Sequence, residues 1–399
     1  MVARGDRAAS ERVHRRGGRV SPPAREYALL LRSALVSART NLLGLPHRSR
    51  TPRRILVVKV DHLGDAVTAI PALRLLRDAC PDAMIHLLLN SAVAPVFHGT
   101  RLADHALAYD SPDFRRGAAG GGPPELQDIV RERYDTIVEL RGDRATLALP
   151  ARVGAIRRVD RGTVRLADWI GRRLPGSRRP PLHEVETNVA IVRPLLGADR
   201  DRAVPSAEID VPDAVRGSLR SKLDAIGVAE GAAIVCIHAG AGWPPKAWKA
   251  ERFAAVADWI QDHYDAHVAF LGDGSERDLE RSLRRAVQGP RAIWLYGALS
   301  LPEVAALFRT SRLLIGNDSG LAHLAAATGT PVVVLFGPSD PARFQPRSPR
   351  VRVLQQTGPC ACAGPSPAHP GLPCVNRIDV EEVLAAARAF LGPPSRGNS

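Results

Sequence analysis

The sequence predicts an α/β protein built from two parallel-sheet units, and three stretches support that prediction. Short apolar runs over residues 54–60 and 232–237 each lead into a polar turn and then a helix-like segment. Residues 313–336 complete a strand–turn–helix–strand unit. Continuous apolar runs of this length are typical of strands buried on both faces of a parallel sheet. A chain of 399 residues is long enough for two such domains.

Changes in composition along the chain suggest where its domains begin and end. We expect residues 1–52 to form a basic, partly disordered leader, and residues 392–399 to form a short disordered tail. Between them, residues 53–212 are predicted to form the first α/β domain and residues 213–391 the second. The polar, proline-containing stretch 198–214 has the composition of a connection between domains.

The net charge of +14 is concentrated in the leader. Residues 1–50 contain eleven arginines and three acidic residues, so the rest of the chain is only mildly basic. The sequence has no RNA-binding signature or helix-turn-helix pattern, and its aromatic residues do not alternate with basic ones. We therefore do not expect a nucleic-acid partner.

The leader also bears on where the protein acts. No apolar segment directly follows its arginines as in a secretory signal, and no stretch of the chain has the length and apolarity of a membrane span. Residues 26–45 have the pattern of a helix that could lie on an anionic membrane surface, pack on the protein body or remain unstructured. We expect a cytoplasmic protein, with peripheral contact at the inner face of the cytoplasmic membrane as an open alternative.

The stretch 315–338 is the most informative for function. Asp318, Ser319 and Gly320 occupy the turn that precedes a small-residue helix, and His323 follows Ser319 by about one helical turn. Free backbone N–H groups and the helix dipole make such a position suitable for an anion. Asp and Ser are also favoured helix caps, so capping remains the alternative for these two residues.

A second polar turn follows the first predicted strand. Gly64 allows a sharp bend, and Asp65 is expected at the carboxyl edge of the sheet, where ligands of open α/β sheets bind. The turn lacks the glycine pattern of a dinucleotide site. A carboxylate at this position could act as a general base toward an acceptor hydroxyl. The alternative is that Asp65 only caps a helix starting at Ala66.

A glycine-rich loop opens the second domain. Gly240 and Gly242 allow backbone N–H groups to approach phosphate oxygens, and Lys246 would place a positive charge beside a diphosphate. The spacing differs from that of a Walker A loop. Glu276, after the next predicted strand, could bind the two hydroxyls of a ribose. The alternatives are an ordinary solvated lysine and an acidic residue placed by the helix dipole.

The remaining polar candidates are weaker. Arg144 follows a predicted strand and could face an anionic acceptor, or it could be a solvated surface residue. No Asp-x-Asp metal motif lies in a suitable loop, so no metal is expected.

The five cysteines fall into two groups. Cys80 and Cys236 have the setting of small core residues. Cys360, Cys362 and Cys374 are expected to be free thiols, with a zinc site or a disulfide left open because their spacing matches no standard site.

Several motifs together resemble glycosyltransferase family nine, the ADP-heptose:lipopolysaccharide heptosyltransferases. The resemblance runs from about Arg53 to Leu391, and the order of the motifs makes it specific. They are Lys59–Asp65 with Ile70–Leu73, His183–Glu186, Gly240–Trp248, Leu299–Leu301, Asn317–His323, Phe336–Pro338 and the cysteine-containing loop.

The resemblance implies a GT-B architecture, in which two Rossmann-like domains face each other across a cleft. It also implies inverting, metal-independent transfer of a heptose-like sugar, without a cofactor, from an ADP-linked donor to a cell-envelope glycan or glycolipid. Asp65 would be the general base. The positions of Gly64 and Arg144 near strand ends, rather than the resemblance, place these two residues on the acceptor side. The implied donor-binding residues are Gly240, Ala241, Lys246, Glu276, Leu299, Asp318, Ser319, Gly320 and His323.

One departure from the family concerns the donor loop, where Gly240 and Ala241 occupy positions at which family members tend to have threonines. The basic leader is also outside the family pattern. Two other functional classes remain open. A sugar-nucleotide epimerase would keep the donor site without needing an acceptor, and a nucleotide-sugar-binding protein would bind the donor without turnover.

Overall fold

The computed structural model describes residues 51–110, 126–141, 146–162, 164, 182–356 and 374–394. Residues 1–50 of the predicted leader and the last five residues lie outside the described residues. So do the individual positions Arg144, Cys360 and Cys362.

The first sheet contains five parallel strands in the order β3-β2-β1-β4-β5. Its strands are β1 Arg54–Lys59, β2 Met84–Leu89, β3 His105–Ala108, β4 Thr136–Arg141 and β5 Arg157–Asp160. The described helices of this part are α1 Leu63–Val67, α2 Ile70–Ala79, α3 Leu126–Arg131, α4 Leu149–Arg152 and α5 Glu184–Val192.

The second sheet contains six parallel strands in the order β11-β10-β9-β6-β7-β8. Its strands are β6 Ile234–His238, β7 His267–Gly272, β8 Ala292–Tyr296, β9 Leu313–Asn317, β10 Val332–Phe336 and β11 Val351–Gln355. The described helices are α6 Asp213–Ala225, α7 Ala250–His263, α8 Arg277–Ala286, α9 Leu301–Thr310, α10 Gly320–Ala327, α11 Pro341–Phe344 and α12 Val380–Leu391.

The apolar strand runs explain why both sheets are covered on their two faces. Neighbouring residues of β1, such as Leu56 and Val57, are both fully buried although their side chains point to opposite faces. The same holds for Val333 and Val334 of β10. Parallel sheets need helices on both faces for this reason. The α/β fold class predicted from the apolar runs is confirmed.

The two domains share part of their core and meet at their strand ends. One apolar cluster continues from Val57 in the first sheet to Phe336 in the second. Helix α1 follows β1, and α10 follows β9, so each helix begins at the carboxyl edge of its sheet. A Cβ atom added to Gly320 would lie only 3.0 Å from the backbone nitrogen of Gly64. The carboxyl edges of the two sheets therefore face each other.

Two predicted helices differ from the observed ones. The single helix expected over residues 66–79 is two helices, α1 and α2, joined by residues 68 and 69. At this junction the hydroxyl of Thr68 donates to the carbonyl oxygen of Asp65 at 2.7 Å. The helix expected over residues 183–197 leaves the α conformation after Val192, because Pro194 has no N–H to continue it.

Two further predictions concern cysteines and membrane spans. Cys80 and Cys236 are buried free thiols, as expected of small core residues, and Cys374 is half-buried. In the described part of the chain, none of the helices combines the length and the apolarity that a membrane crossing needs.

Candidate active site

Asp65 lies in the first turn of α1 and is half-buried. His62, not Asp65, occupies the N-cap position, and the helix starts before Ala66. The capping alternative for Asp65 is therefore wrong. The preceding residue, Gly64, lies against His323, because a Cβ atom added to Gly64 would be 3.1 Å from the histidine ring. The charge of Asp65 acts to raise the pKa of both Asp61 and His323.

A buried cluster of charges supports the turn that carries Asp65. The Lys59 ammonium is 3.2 Å from Asp61 Oδ2, and neither side chain is exposed by more than 1%. The Nε atom of Arg141 is 3.7 Å from the same oxygen. Burial raises the pKa of Asp61 to about 6, and the nearby charge of Asp65 adds to the rise. From the sequence, no role was predicted for this cluster. Lys59 and Asp61, two opposite charges at the carboxyl end of an apolar strand, could have indicated a buried ion pair.

Gly64 and His323 lie at the junction between the two domains. A Cβ atom at position 64 would be 3.1 Å from Cδ2 of His323 and 3.3 Å from the Cα atom of Gly320. A side chain at position 64 would push the two helix starts apart by a few tenths of an ångström, and glycine avoids this. His323 is buried, and burial lowers its pKa, whereas the charges of Asp318 and Asp65 oppose that shift.

The predicted donor-side residues of the second domain form two polar pairs. Lys246 Nζ is 2.6 Å from Asp318 Oδ2, and only 27% of the lysine side chain is exposed. The solvated-lysine alternative is therefore wrong. Ser319 occupies the N-cap position of α10 but makes no capping bond with its side chain. Its Oγ is 3.1 Å from Nδ1 of His238, whose pKa burial lowers to about 4.

Asn317 holds the donor loop in place, a role that sequence reasoning missed. Its side-chain nitrogen donates to the carbonyl oxygen of Ala239 at 2.8 Å, and its side-chain oxygen accepts from the backbone nitrogen of Trp248 at 3.1 Å. Asn317 is fully buried. One side chain thus fixes both ends of the loop that carries Lys246.

Glu276 lies against the same loop. A Cβ atom on Gly240 would be 2.0 Å from Glu276 Oε1, so this glycine leaves room for the carboxylate. Oε2 accepts from the backbone nitrogen of Asp273 at 3.1 Å. Burial raises the pKa of Glu276. Tyr296 lies beside Glu276, and its buried hydroxyl has no hydrogen-bond partner among the described residues.

The structure brings most of the predicted site residues to the facing edges of the sheets. Ala241 is half-buried in the donor loop, and Leu299 is half-buried and packs against the shared apolar cluster. Arg144 lies outside the described residues. Within the ranges that the structure describes, no group of three or more His, Cys, Asp and Glu side chains is arranged to hold a metal ion.

Sequence comparisons identify the family to which the chain belongs. The family profile described as glycosyltransferase family 9 (heptosyltransferase) matches residues 126–364. The chain is 28% identical to the lipopolysaccharide heptosyltransferase 3 of Escherichia coli over 294 residues, which cover 71% of this chain and 84% of that protein. It is 25% identical to the lipopolysaccharide heptosyltransferase 2 of E. coli K12 over 317 residues, covering 76% and 88%.

Solved structures share the two-domain arrangement. A glycosyltransferase family 9 protein from Veillonella parvula superposes with a TM-score of 0.68 at 22% identity, covering 85% of this chain and 97% of that one. The E. coli ADP-heptose lps heptosyltransferase II superposes with a TM-score of 0.64 at 20% identity, covering 85% and 98%. These likenesses confirm the predicted GT-B architecture. With more than half of its length matched by the family profile, the chain belongs to glycosyltransferase family 9, the heptosyltransferase family.

Proposed function

We propose that this glycosyltransferase transfers a heptose-like sugar, with inversion and without a metal, from an ADP-linked donor to a hydroxyl of a lipopolysaccharide-type acceptor. One observation carries the proposal. Asp65 of the first domain lies close to the start of α10, where Asp318, Ser319 and His323 are gathered. The named E. coli relatives, lipopolysaccharide heptosyltransferases 3 and 2, support this choice of sugar and acceptor.

Each side of the junction supplies one half of the reaction. Asp65 accepts the proton of the acceptor hydroxyl as that oxygen forms a bond to the anomeric carbon. The bond between the anomeric carbon and the diphosphate oxygen breaks on the opposite side, and the nucleoside diphosphate leaves with the bonding electrons. Attack and departure on opposite faces invert the anomeric configuration.

The leaving diphosphate needs positive charge, and the second domain provides it. Lys246 is the cation of the donor loop, and the first N–H groups of α10 add a partial positive charge. Gly240 and Ala241 have no side-chain hydroxyl, so we assign their contacts with phosphate to the backbone. Glu276 binds the ribose, and Leu299 lies by the adenine. No cofactor is required in this scheme.

The acceptor determines where the enzyme works. A lipopolysaccharide precursor is a lipid, so we place the reaction at the inner face of the cytoplasmic membrane. The eleven arginines of residues 1–50 would attract anionic head groups there.

The test is a transfer assay with the full chain. Wild-type protein and Asp65→Asn are incubated with ADP-heptose and lipopolysaccharide from a heptose-deficient strain, with and without EDTA. Nucleotide release, acceptor mass and the anomeric configuration of the product are recorded. We expect transfer with inversion, unaffected by EDTA. We also expect Asp65→Asn to lower the rate about 10²- to 10⁴-fold while keeping its ADP affinity.

Other outcomes would support the competing classes. Conversion of the donor sugar in the absence of acceptor would indicate an epimerase. Donor binding without turnover in the wild type would indicate a binding protein. A panel of UDP-, GDP- and dTDP-sugars tests whether adenine is the nucleotide base of the donor.

A further inference from the structure

A chain of contacts runs from the second domain toward Asp65, and it begins at Arg343 on α11, whose side chain is 36% exposed. Nη2 of Arg343 is 3.2 Å from Oε1 of Glu184, which belongs to α5 of the first domain. Glu184 is only 2% exposed, and Arg161 binds its other carboxylate oxygen. The nearby cations lower the pKa of Glu184 despite its burial. Glu184 is thus an ionised, buried link between the two domains.

The next link is Asn188, which follows Glu184 by about one turn of α5 and is fully buried. Its side-chain nitrogen donates to Oγ1 of Thr68 at 3.2 Å. The Thr68 hydroxyl in turn donates to the carbonyl oxygen of Asp65 at 2.7 Å. Helix α5 therefore contacts the end of the short helix that carries Asp65.

A second support reaches the same short helix from β1. Lys59 is 3.2 Å and Arg141 is 3.7 Å from Asp61 Oδ2. Helix α1 begins at Leu63, two residues after Asp61. The charges around Asp61 therefore fix the start of α1, and the contact of α5 with Thr68 fixes its end.

A neighbouring contact keeps the second-domain segment in place. The backbone nitrogen of Val185 donates to Nδ1 of His183 at 3.1 Å, so the ring proton is on Nε2. That atom donates to the carbonyl oxygen of Gln345, across the junction, at 2.8 Å. Arg343 thus lies on a segment that is already docked on the first domain.

We infer that Glu184 and Arg343 are positioning residues for Asp65: Arg343 fixes Glu184 on α5, and α5 holds Asp65 through Asn188 and Thr68. The inference rests on the proposed role of Asp65 as general base. It adds that the placement of the base in one domain depends on a side chain supplied by the other.

The chain offers a matched control. Arg347 also pairs with a glutamate of α5, at 2.5 Å from Glu186, but both side chains are well exposed, at 44% and 38%. An exposed ion pair contributes little to stability or geometry. Arg343→Gln and Arg347→Gln each remove one partly exposed arginine from the same segment, and only the first removes a partner of a buried glutamate, Glu184, whose side chain is 3% exposed.

The experiment compares Arg343→Gln, Glu184→Gln, Arg343→Lys and Arg347→Gln in the full chain. Measurements are kcat and KM with ADP-heptose and heptose-deficient lipopolysaccharide, ADP affinity by calorimetry, and amide hydrogen exchange of residues 60–68. We expect Arg343→Gln and Glu184→Gln to lower kcat about 10- to 100-fold, since small displacements of a reacting group have effects of this size. Their donor KM and ADP affinity should stay within about twofold of wild type, because the donor site is unchanged.

The remaining outcomes are equally specific. Arg343→Lys should recover part of kcat, and Arg347→Gln should match wild type in every measurement. Exchange of residues 60–68 should accelerate in Arg343→Gln and Glu184→Gln, and not in Arg347→Gln. Equal kcat and equal exchange in Arg343→Gln and Arg347→Gln would overturn the inference, and so would a loss of ADP affinity in Arg343→Gln. A wild type without transfer activity would overturn the proposed function instead, and the exchange comparison would still decide the inference.

Discussion

The two domains hold their functional charges in different ways. In the first domain, Lys59 and Asp61 form a pair of which no more than 1% is exposed. In the second, Lys246 and Asp318 form a shorter pair, but 27% of the lysine side chain reaches solvent. The first pair is closed into the core, where it can only support its neighbours. The second is open at the junction, where a ligand can reach it. The difference separates a supporting cluster from a binding site.

The largest expected effect distinguishes the two lysines by stability. Lys59→Met leaves Asp61 buried without its nearest cation, so we expect a loss of about 3 kcal/mol in the free energy of unfolding. Lys246→Met should change it by less than about 1 kcal/mol, because its pair is partly exposed. Denaturant unfolding of both variants at pH 7 measures this. Equal losses would remove the distinction between the two pairs.

The second prediction concerns pH. Burial raises the pKa of Asp61 from 3.8 to about 6, so between about pH 4 and pH 6 the folded protein holds a proton that the unfolded chain has lost. Stability contributed by this group therefore falls as pH rises through that range. A difference of about 2 in pKa is worth about 3 kcal/mol.

The variant Asp61→Asn cannot bind or release this proton, so it is the control for the pH dependence of wild-type stability. Relative to the variant, wild type should lose about 3 kcal/mol of unfolding free energy between pH 4 and pH 7. Denaturation of both proteins over a pH series gives the two curves, and parallel curves would contradict the predicted burial of a proton-binding group.

The third prediction tests whether the partly exposed pair of Lys246 and Asp318 binds ADP. Lys246→Met should weaken ADP binding by about 1.5–3 kcal/mol, the usual contribution of a hydrogen bond to a charged group. Lys249→Met, which changes an exposed lysine three residues further on, is the control and should bind ADP as wild type does. Calorimetric titration measures both. Equal affinity in all three proteins would show that Lys246 serves Asp318 and not a diphosphate.

The smallest expected effect is at Tyr296. Its hydroxyl is buried without a partner among the described residues, so Tyr296→Phe should leave the unliganded protein unchanged or stabilise it by about 1 kcal/mol. If the hydroxyl takes part in nucleoside binding, the same variant will bind ADP more weakly. Thermal unfolding with and without ADP separates the two effects. A destabilised unliganded variant would show that the hydroxyl has a partner.

Sequence reasoning located the turns of the site better than the partners of its residues. Asp65 and Lys246 were expected at strand ends because apolar runs stop just before their loops, and the structure places both at the junction. The ion pair of Lys246 with Asp318 was not predicted, since it joins residues 72 positions apart. Asn317 was part of a quoted motif, yet its role in fixing the donor loop depends on β6 lying next to β9.

The sequence by itself determined the order of strands and helices and the polar turns at their ends. Apolar periodicity, glycine and proline act over a few residues, so their effects can be predicted locally. Only the tertiary structure decided which charges meet. Glu184 and Arg343 are 159 residues apart, and they pair because the two sheets bring their helices together. Sheet order and domain packing set such distances, and no local pattern encodes them.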